Sequence, residues 1–155
     1  MDGTAFGSSA ENYANDPGVE MAWAIKAYDN ARVHMNLLCS LEPKYLKLSN
    51  DDEAIYSAFL LEFGPDFPLR CIPEEQLKSE EAKRKWRNFC IRFSEVDEHA
   101  FGTLLRLDSS KNYDSDNTIL VTRIQFLAIE IARNRFGANS GLKDKFPVTH
   151  NMHKE

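Results

Sequence analysis

Apolar side chains in the first third of the chain recur at intervals of three or four, which is the spacing of one buried face on an α-helix. The members of this row are Val19, Trp23, Ala27, Ala31, Met35 and Leu38. Asp16 can cap the first turn, and Pro17 fits the first helical position, where no N–H is needed. The pattern therefore predicts a helix that begins at Pro17 and stops before Pro43.

A second helical pattern covers residues 48–63. Its apolar row is Ile55, Phe59 and Phe63. Ser49 or Asn50 can serve as the N-cap, and the acids that follow suit the positive end of the helix dipole. Gly64 and Pro65 are expected to stop the helix.

A third amphipathic segment runs from residue 73 to residue 93 and is predicted as a single solvated helix. Its apolar face consists of Ala82, Trp86, Phe89, Cys90 and Phe93. Three acid-to-base pairs with the stabilising i, i+4 order follow the same segment: Glu74 with Lys78, Glu80 with Arg84, and Glu81 with Lys85. The preceding stretch "FPLRCIP", residues 67–73, contains two prolines and is predicted as a loop or extended connector.

The pattern of residue types changes after residue 95. "TLLRL" at 103–107 and "TILV" at 118–121 are short runs rich in strand-forming residues. The stretch between them is rich in Asn, Asp and Ser, which suits a hairpin-like excursion. These two segments are the candidates for one short strand pair.

The run "RIQFLAIEIARNR", residues 123–135, is almost wholly apolar in its interior and is predicted as a largely buried helix ended by Gly137. Its narrow polar edge is formed by Arg123, Glu130 and Asn134. We interpret the run mainly as scaffold, with Glu130 paired to Arg106 or Arg123.

These elements predict a mainly α protein: a single compact helical domain with room for one short β-strand pair. The domain is expected to span residues 15–137. Residues 1–14 are predicted to be a flexible N-terminus, and residues 138–155 a polar C-terminal tail.

Composition narrows the range of functions. With 43% hydrophobic and 28% charged residues, the 155-residue chain can bury a core of its own. A net charge of −5 disfavours direct binding to DNA, an RNA backbone or a membrane, because these partners attract basic surfaces. The N-terminus has no basic leader, and Cys39, Cys71 and Cys90 fit neither a metal pair nor a disulfide framework. We expect a cytoplasmic protein with reduced thiols, and a nuclear pool is also compatible.

Motifs for catalysis are weak. Asp114 and Asp116 form a DxD, the pattern with which many sugar-nucleotide transferases hold a divalent metal, but no phosphate-binding glycine loop accompanies it. We interpret the two aspartates as capping the last helix. The four histidines, His34, His99, His150 and His153, form no HExxH, and nothing orients a pair of His99 with Cys90. We therefore predict that the protein is not an enzyme and that it has no catalytic residue, metal or cofactor.

A partner-binding role has better support. Trp86 lies within "KRKWR", and a partly exposed aromatic ringed by cations has the composition of a binding hot spot for an acidic partner, although core packing is the default for Trp86. Several arginines could also gather into one patch, since guanidinium groups bind carboxylates bidentately. The candidate partner-binding residues are Trp86, Arg87, Arg106, Asp108, Arg123, Arg133 and Arg135.

Four blocks of the sequence resemble one known family. They are "NDPGVEMAWAIKA" (15–27), "LKSEEAKRKWRNFC" (77–90), "FGTLLRLD" (101–108) and "NTILVTRIQFLAIEIARNR" (117–135). Together they resemble the small eukaryotic family labelled polysaccharide biosynthesis domain-containing protein 1, in one order and spacing.

The resemblance implies a helical cytoplasmic protein that acts as a dedicated chaperone for translation elongation factor 1 alpha. It implies that the nascent GTP-binding domain is bound near the ribosome during synthesis and released as that domain reaches its GTP-bound fold. Two alternatives stay open at this point. One is an enzyme or accessory factor of polysaccharide biosynthesis that uses Asp114 and Asp116, and the other is a generic protein-protein adaptor.

Overall fold

The computed structural model describes residues 17–146, apart from the side chains of Pro17 and Val19. The predicted N-terminal segment, the Asp16 cap, His150 and His153 lie outside the described residues. The elements in chain order are α1 (Pro17–Ser40), α2 (Asp52–Phe63), α3 (Glu75–Lys78), α4 (Glu80–Ile91), β1 (Gly102–Arg106), β2 (Thr118–Thr122), α5 (Arg123–Phe136) and α6 (Leu142–Lys145). Two short 3-10 helices, Pro43–Tyr45 and Ser115–Asn117, lie between them.

Helix α5 is the centre of the fold. Ile124 and every residue from 126 to 134 are buried, because the helix packs against α2, α4 and both strands. Its ends are well defined in the sequence. Thr122 and Gln125 form a reciprocal capping box, and Gly137 ends the helix with a left-handed φ of 81°. Asp114 and Asp116 were expected to cap this helix, and that prediction is wrong because Thr122 does so.

One side of α5 faces a cluster of aromatic rings. The members are Phe59, Phe63, Phe67, Trp86, Phe89 and Phe93, with neighbouring ring centroids 4.3–6.5 Å apart. The buried row predicted for α2 and the apolar face predicted for α4 supply five of these rings. We call this set the aromatic cluster. It forms the dry half of the core, since burial of large rings is a strongly favourable contribution to folding.

The predicted strand pair is confirmed. β1 and β2 pair antiparallel, with Leu104 opposite Leu120 and Gly102 opposite Thr122. Helix α1 lies across β1, and a Cβ at Gly102 would come within 2.4 Å of Cζ2 of Trp23. Glycine is therefore required for this close approach of the helix to the strand.

Three boundaries differ from the predictions. The predicted helix 73–93 is two helices, because Ser79 has extended backbone and its hydroxyl accepts a hydrogen bond from the N–H of Ala82 as the N-cap of α4. Neither Ser49 nor Asn50 caps α2, since its N-cap is Asp51. The chain after Gly137 continues to pack on the domain. Its buried residues there are Ala138, Asn139 and Leu142, the last of these in α6.

Candidate partner-binding surface and a buried ionic cluster

Three charged side chains are completely buried beside α5: Arg106, Glu130 and Arg133. Nη1 of Arg133 donates to Oε2 of Glu130 at 2.9 Å, and Nη2 of Arg106 lies 3.5 Å from Oε1. The predicted pairing of Glu130 with Arg106 is confirmed, while the second partner is Arg133 rather than Arg123. The polar edge predicted for this helix is thus an interior feature, and we call these three residues with Asn139 the ionic cluster.

Most of the remaining donors of the ionic cluster are satisfied by backbone carbonyls, while Nε of Arg106 has no hydrogen-bond partner among the described residues. Arg106 donates to the carbonyls of Ser109 and Lys111 and to Oδ1 of Asn139 at 2.7–3.1 Å. Arg133 donates to the carbonyls of Leu69 and Leu107 at 2.8 and 3.0 Å. The two arginines therefore tie four segments of the chain together, namely the 67–73 connector, the end of β1, the loop after it and the turn after α5. This arrangement stabilises the fold from within.

Electrostatics keeps the cluster charged and its neighbour neutral. Burial alone would raise the pKa of the Glu130 carboxyl, but the adjacent charges of Arg106 and Arg133 outweigh burial and lower the pKa to about 2. Burial lowers the pKa of His34 to about 4, against the opposing charge of Glu130. The His34 ring is therefore uncharged at neutral pH, and its Nδ1 lies 2.7 Å from the hydroxyl of Tyr113. Burial also raises the pKa of Tyr113 above its usual range.

Three of the candidate partner-binding residues are buried. Arg106 and Arg133 belong to the ionic cluster, and Trp86 is 3% exposed within the aromatic cluster. Nε1 of Trp86 donates to the carbonyl of Gln76 at 3.1 Å, so the polar end of the ring is also satisfied internally. The premise that Trp86 is partly exposed is wrong, because α4 turns this residue inward with Ala82 and Phe89.

The other four candidates do not form one patch with the first three. Arg87 is exposed on the outer face of α4, and Arg135 pairs with Glu53 and lies over the ring of Tyr56. Asp108 is half-buried and accepts hydrogen bonds from the backbone N–H and hydroxyl of Ser110. Arg123 is half-buried at the start of α5. Their contact with a partner stays a prediction.

The structure reveals a surface that the sequence patterns did not identify. Eleven large hydrophobic side chains are exposed among the described residues, and six of them lie on or just after α1. These six, which we call the α1 surface, are Met21, Ile25, Tyr28, Val33, Leu37 and Leu41. They make two rows at i, i+3 or i, i+4 spacing, Met21, Ile25 and Tyr28 in the first half of the helix and Val33, Leu37 and Leu41 at its second half, which flank the buried row on opposite sides. Met21 and Tyr28 are 62% and 61% exposed, respectively.

A concentration of exposed apolar side chains is typical of a protein-binding surface, because their burial against a partner lowers the free energy. The sequence already contained this signal. These apolar residues lie outside the buried row of α1, at helical positions that are usually polar. Only the structure shows that no other element of the described chain covers them.

The DxD motif lies at the 3-10 helix before β2, and both of its carboxylates are exposed. No group of three or more His, Cys, Asp or Glu residues able to hold a metal occurs within residues 17–146. In the same range, no helix combines the length and hydrophobicity needed to cross a bilayer.

The sequence matches the family described as PBDC1 protein over residues 19–144. Mouse Protein PBDC1 is 50% identical over 133 residues, which are 85% of this chain and 67% of the mouse protein. Human Protein PBDC1 is 49% identical over 134 residues, 86% of this chain and 57% of the human protein. The chain therefore spans only part of its mammalian relatives. It covers 94% of the Schizosaccharomyces pombe homolog, which is 39% identical over 139 residues.

The fold is also similar to an experimentally determined one. The solution NMR structure of a protein from Saccharomyces cerevisiae has a TM-score of 0.75 and 36% sequence identity to this chain. The similarity covers 84% of this chain and 92% of the yeast chain.

Proposed function

The chain belongs to the PBDC1 protein family, and on that premise we propose that it is a non-enzymatic chaperone dedicated to translation elongation factor 1 alpha. It binds the GTP-binding domain of the nascent elongation factor near the ribosome, without a cofactor of its own. The sequence blocks that resemble this family lie within or close to the matched range, residues 19–144, which supports the proposal.

The observation that best supports a binding role is the α1 surface. Six exposed apolar side chains on or just after one long helix can pack against a hydrophobic surface of the client and remove it from water. A client domain that is only partly synthesised exposes apolar segments that would otherwise aggregate. We assign client binding to this surface, and we keep the accessible Arg87, Asp108, Arg123 and Arg135 as candidate polar contacts.

Release follows from differential affinity. A ligand shifts a conformational equilibrium only to the extent that it prefers one state. If GTP prefers the closed client domain and the chaperone prefers the open one, GTP binding to the client lowers the affinity of the chaperone. The nucleotide then belongs to the client, and the chaperone needs no nucleotide site.

The test is capture of the client during translation. The tagged chain is added to a translating extract programmed with messenger RNA for elongation factor 1 alpha, truncated so that ribosomes stall after the GTP-binding domain. We expect recovery of the stalled nascent chain. After the free nucleotide that translation requires has been removed, we expect less recovery of the released domain when GTP is added back than when it is left out. An extract programmed with an unrelated GTPase is the matched control. Equal recovery of both clients, or of neither, would contradict a dedicated chaperone.

The role of the α1 surface is tested with a pair of variants. Met21→Ser with Ile25→Ser should reduce capture strongly, because it replaces two of the most exposed apolar side chains of this surface. Tyr45→Ser with Leu120→Ser is the control, since both residues are exposed but lie off the α1 surface. Equal loss in both variants would remove α1 as the client site.

The polysaccharide alternative has a test of its own. Asp114→Asn with Asp116→Asn would abolish metal binding and turnover if these residues served an enzyme. On the chaperone proposal, capture of the nascent chain is unchanged in this variant, because both carboxylates are exposed and asparagine is close to aspartate in size and shape.

A further inference from the structure

The outer face of α4 combines unpaired cations with an exposed aliphatic side chain. The buried residues Ala82, Trp86 and Phe89 define the inner face of this helix. Opposite them, Arg84, Arg87 and Ile91 follow one another at spacings of three and four, so they form one line along the solvent side. The line extends over about 10 Å, two turns of helix. We call these three residues the α4 strip.

The charges of the α4 strip are not compensated within the described chain. Other exposed arginines, such as Arg32 and Arg92, each have a carboxylate within 3.4 Å. Arg84 and Arg87 have no carboxylate, hydrogen-bond or aromatic partner among residues 17–146. Like charges one turn apart on a helix repel, by a few tenths of a kcal/mol. This chain, which carries a net charge of −5, therefore presents a local positive feature on α4.

An aliphatic component accompanies the charges. Ile91 is 70% exposed, and Leu61 on the adjacent helix α2 is 80% exposed. Nη2 of Arg92, the residue that follows α4, lies 3.3 Å from Oε1 of Glu62 in α2, so the chain segments that carry Ile91 and Leu61 come close together. Ile91 and Leu61 are therefore the sequence neighbours of one interhelical ion pair, at the end of the α4 strip.

We propose that the α4 strip with Leu61 binds an acidic amphipathic protein segment, whose carboxylates pair with Arg84 and Arg87 and whose apolar side chains cover Ile91 and Leu61. Guanidinium groups bind carboxylates bidentately, and such pairs stabilise best when adjacent apolar contacts exclude water. This second surface is separate in sequence from the α1 surface and does not depend on the chaperone proposal.

A protein segment fits this surface better than a nucleic acid does. Phosphate backbones reward dense positive charge, and single-stranded bases reward exposed aromatic rings. The apolar side chains offered here are aliphatic, and the nearby Trp86 is buried.

The test uses short synthetic peptides and the full chain. The probe peptide carries Glu and Leu along one helical face. A second peptide has Lys in place of each Glu, a third has Ser in place of each Leu, and a single-stranded RNA oligonucleotide is the fourth probe. Binding is followed by fluorescence anisotropy at low and physiological salt, and by amide chemical shifts of the isotopically labelled protein.

We expect the Glu–Leu peptide to bind best, and to shift the amides of residues 84–91 and Leu61. Arg84→Glu with Arg87→Glu should weaken this binding about tenfold or more. The matched control is Lys47→Glu with Lys111→Glu, which makes the same change in net charge at two exposed lysines elsewhere and should leave binding within about twofold.

Four results would overturn the proposal. They are the absence of saturable binding up to about 1 mM peptide, equal loss in the control variant, shifts confined to another surface, and tighter strip-dependent binding of RNA than of peptide. Equal binding of the Ser peptide would remove Ile91 and Leu61 from the site. Each result concerns peptide binding alone, so failure here leaves capture of the elongation factor unaffected.

Discussion

The two halves of the interior are held together by different physics. The aromatic cluster between α2 and α4 consists of rings 4.3–6.5 Å apart, and its stability comes from burial of apolar surface. The ionic cluster on another part of α5 buries two arginines and one glutamate completely, and its stability depends on every partner being present. We therefore expect the aromatic cluster to tolerate changes of side-chain shape and the ionic cluster not to tolerate the loss of a charge.

The largest effect is expected from removing the central carboxylate. Glu130→Ala leaves Arg106 and Arg133 buried without a counter-charge, which should lower the free energy of unfolding by about 3–5 kcal/mol. Urea denaturation followed by circular dichroism measures this change. Glu53→Ala, which breaks an exposed pair with Arg135, is the control and should leave the midpoint nearly unchanged. A similar, small loss in both variants would show that the ionic cluster is not essential.

As the pH falls, the part of the core that contains the ionic cluster and His34 should be destabilised before the aromatic cluster is. The folded-state pKa of His34 is lowered to about 4, so the unfolded chain binds the extra proton first, and stability is lost as pH falls from about 6.5 towards 4. The loss at pH 4.5 relative to pH 7 should be about 2–3 kcal/mol from this residue. His34→Gln should flatten the stability profile in this window. An unchanged slope in that variant would assign the acid sensitivity to other groups.

Further acidification should reveal the ionic cluster itself. The folded-state pKa of Glu130 is lowered to about 2, so its contribution is complete above about pH 4.5 and is lost as pH falls towards 2. The two windows are therefore separable in one titration of the unfolding free energy.

A change of side-chain shape in the aromatic cluster should lower the free energy of unfolding by less than Glu130→Ala does, and by less than the protonation of His34 does. Phe59→Leu keeps an apolar side chain within the core, and we expect a loss of about 1.5 kcal/mol, independent of pH between 7 and 4.5. The same urea experiment at both pH values gives the result. A loss as large as that of Glu130→Ala would erase the proposed contrast between the two halves.

The smallest change in stability is expected at Arg135, which is close in sequence to the buried Arg133. Arg133 is buried and makes three hydrogen bonds, while Arg135 is exposed and meets Glu53 at the surface. Arg135→Ala should leave stability within error of the wild type, whereas Arg133→Ala should destabilise strongly. Charge reversal at both positions cannot test a shared binding patch, because only Arg135 can be changed without disturbing the core.

The elements of this fold could be predicted from particular residues. The rows of α1 and α2 and the stop at Gly137 follow from spacing and from backbone preference. The structure buries Ala27, Ala31, Met35 and Leu38 of the first row and Ile55 and Phe59 of the second, leaves Trp23 and Phe63 half-buried, and ends α5 at Gly137. The break at Ser79 was missed, because the charged and apolar periodicity continues across it while a serine cap interrupts only the backbone. The packing of residues 138–146 was missed because a short helix with one buried leucine has too little pattern to detect.

The candidate site was harder to predict than the fold. A guanidinium is the most soluble of side chains, so an arginine on an amphipathic pattern is expected at the surface, and the burial of Arg106 and Arg133 becomes favourable only with Glu130 and four backbone carbonyls around them. Those carbonyls come from segments as far apart as Leu69 and Lys111.

Local preference, periodicity and sequence identity were enough to predict helices α1, α2 and α5, the stop at Gly137, the strand pair and the family to which the chain is related. Three further features became visible only in the folded chain: which arginines are interior, that Trp86 is buried, and that α1 keeps exposed apolar side chains. Exposure and the free energy of a charge depend on what distant parts of the chain place beside it, and no local pattern contains that information.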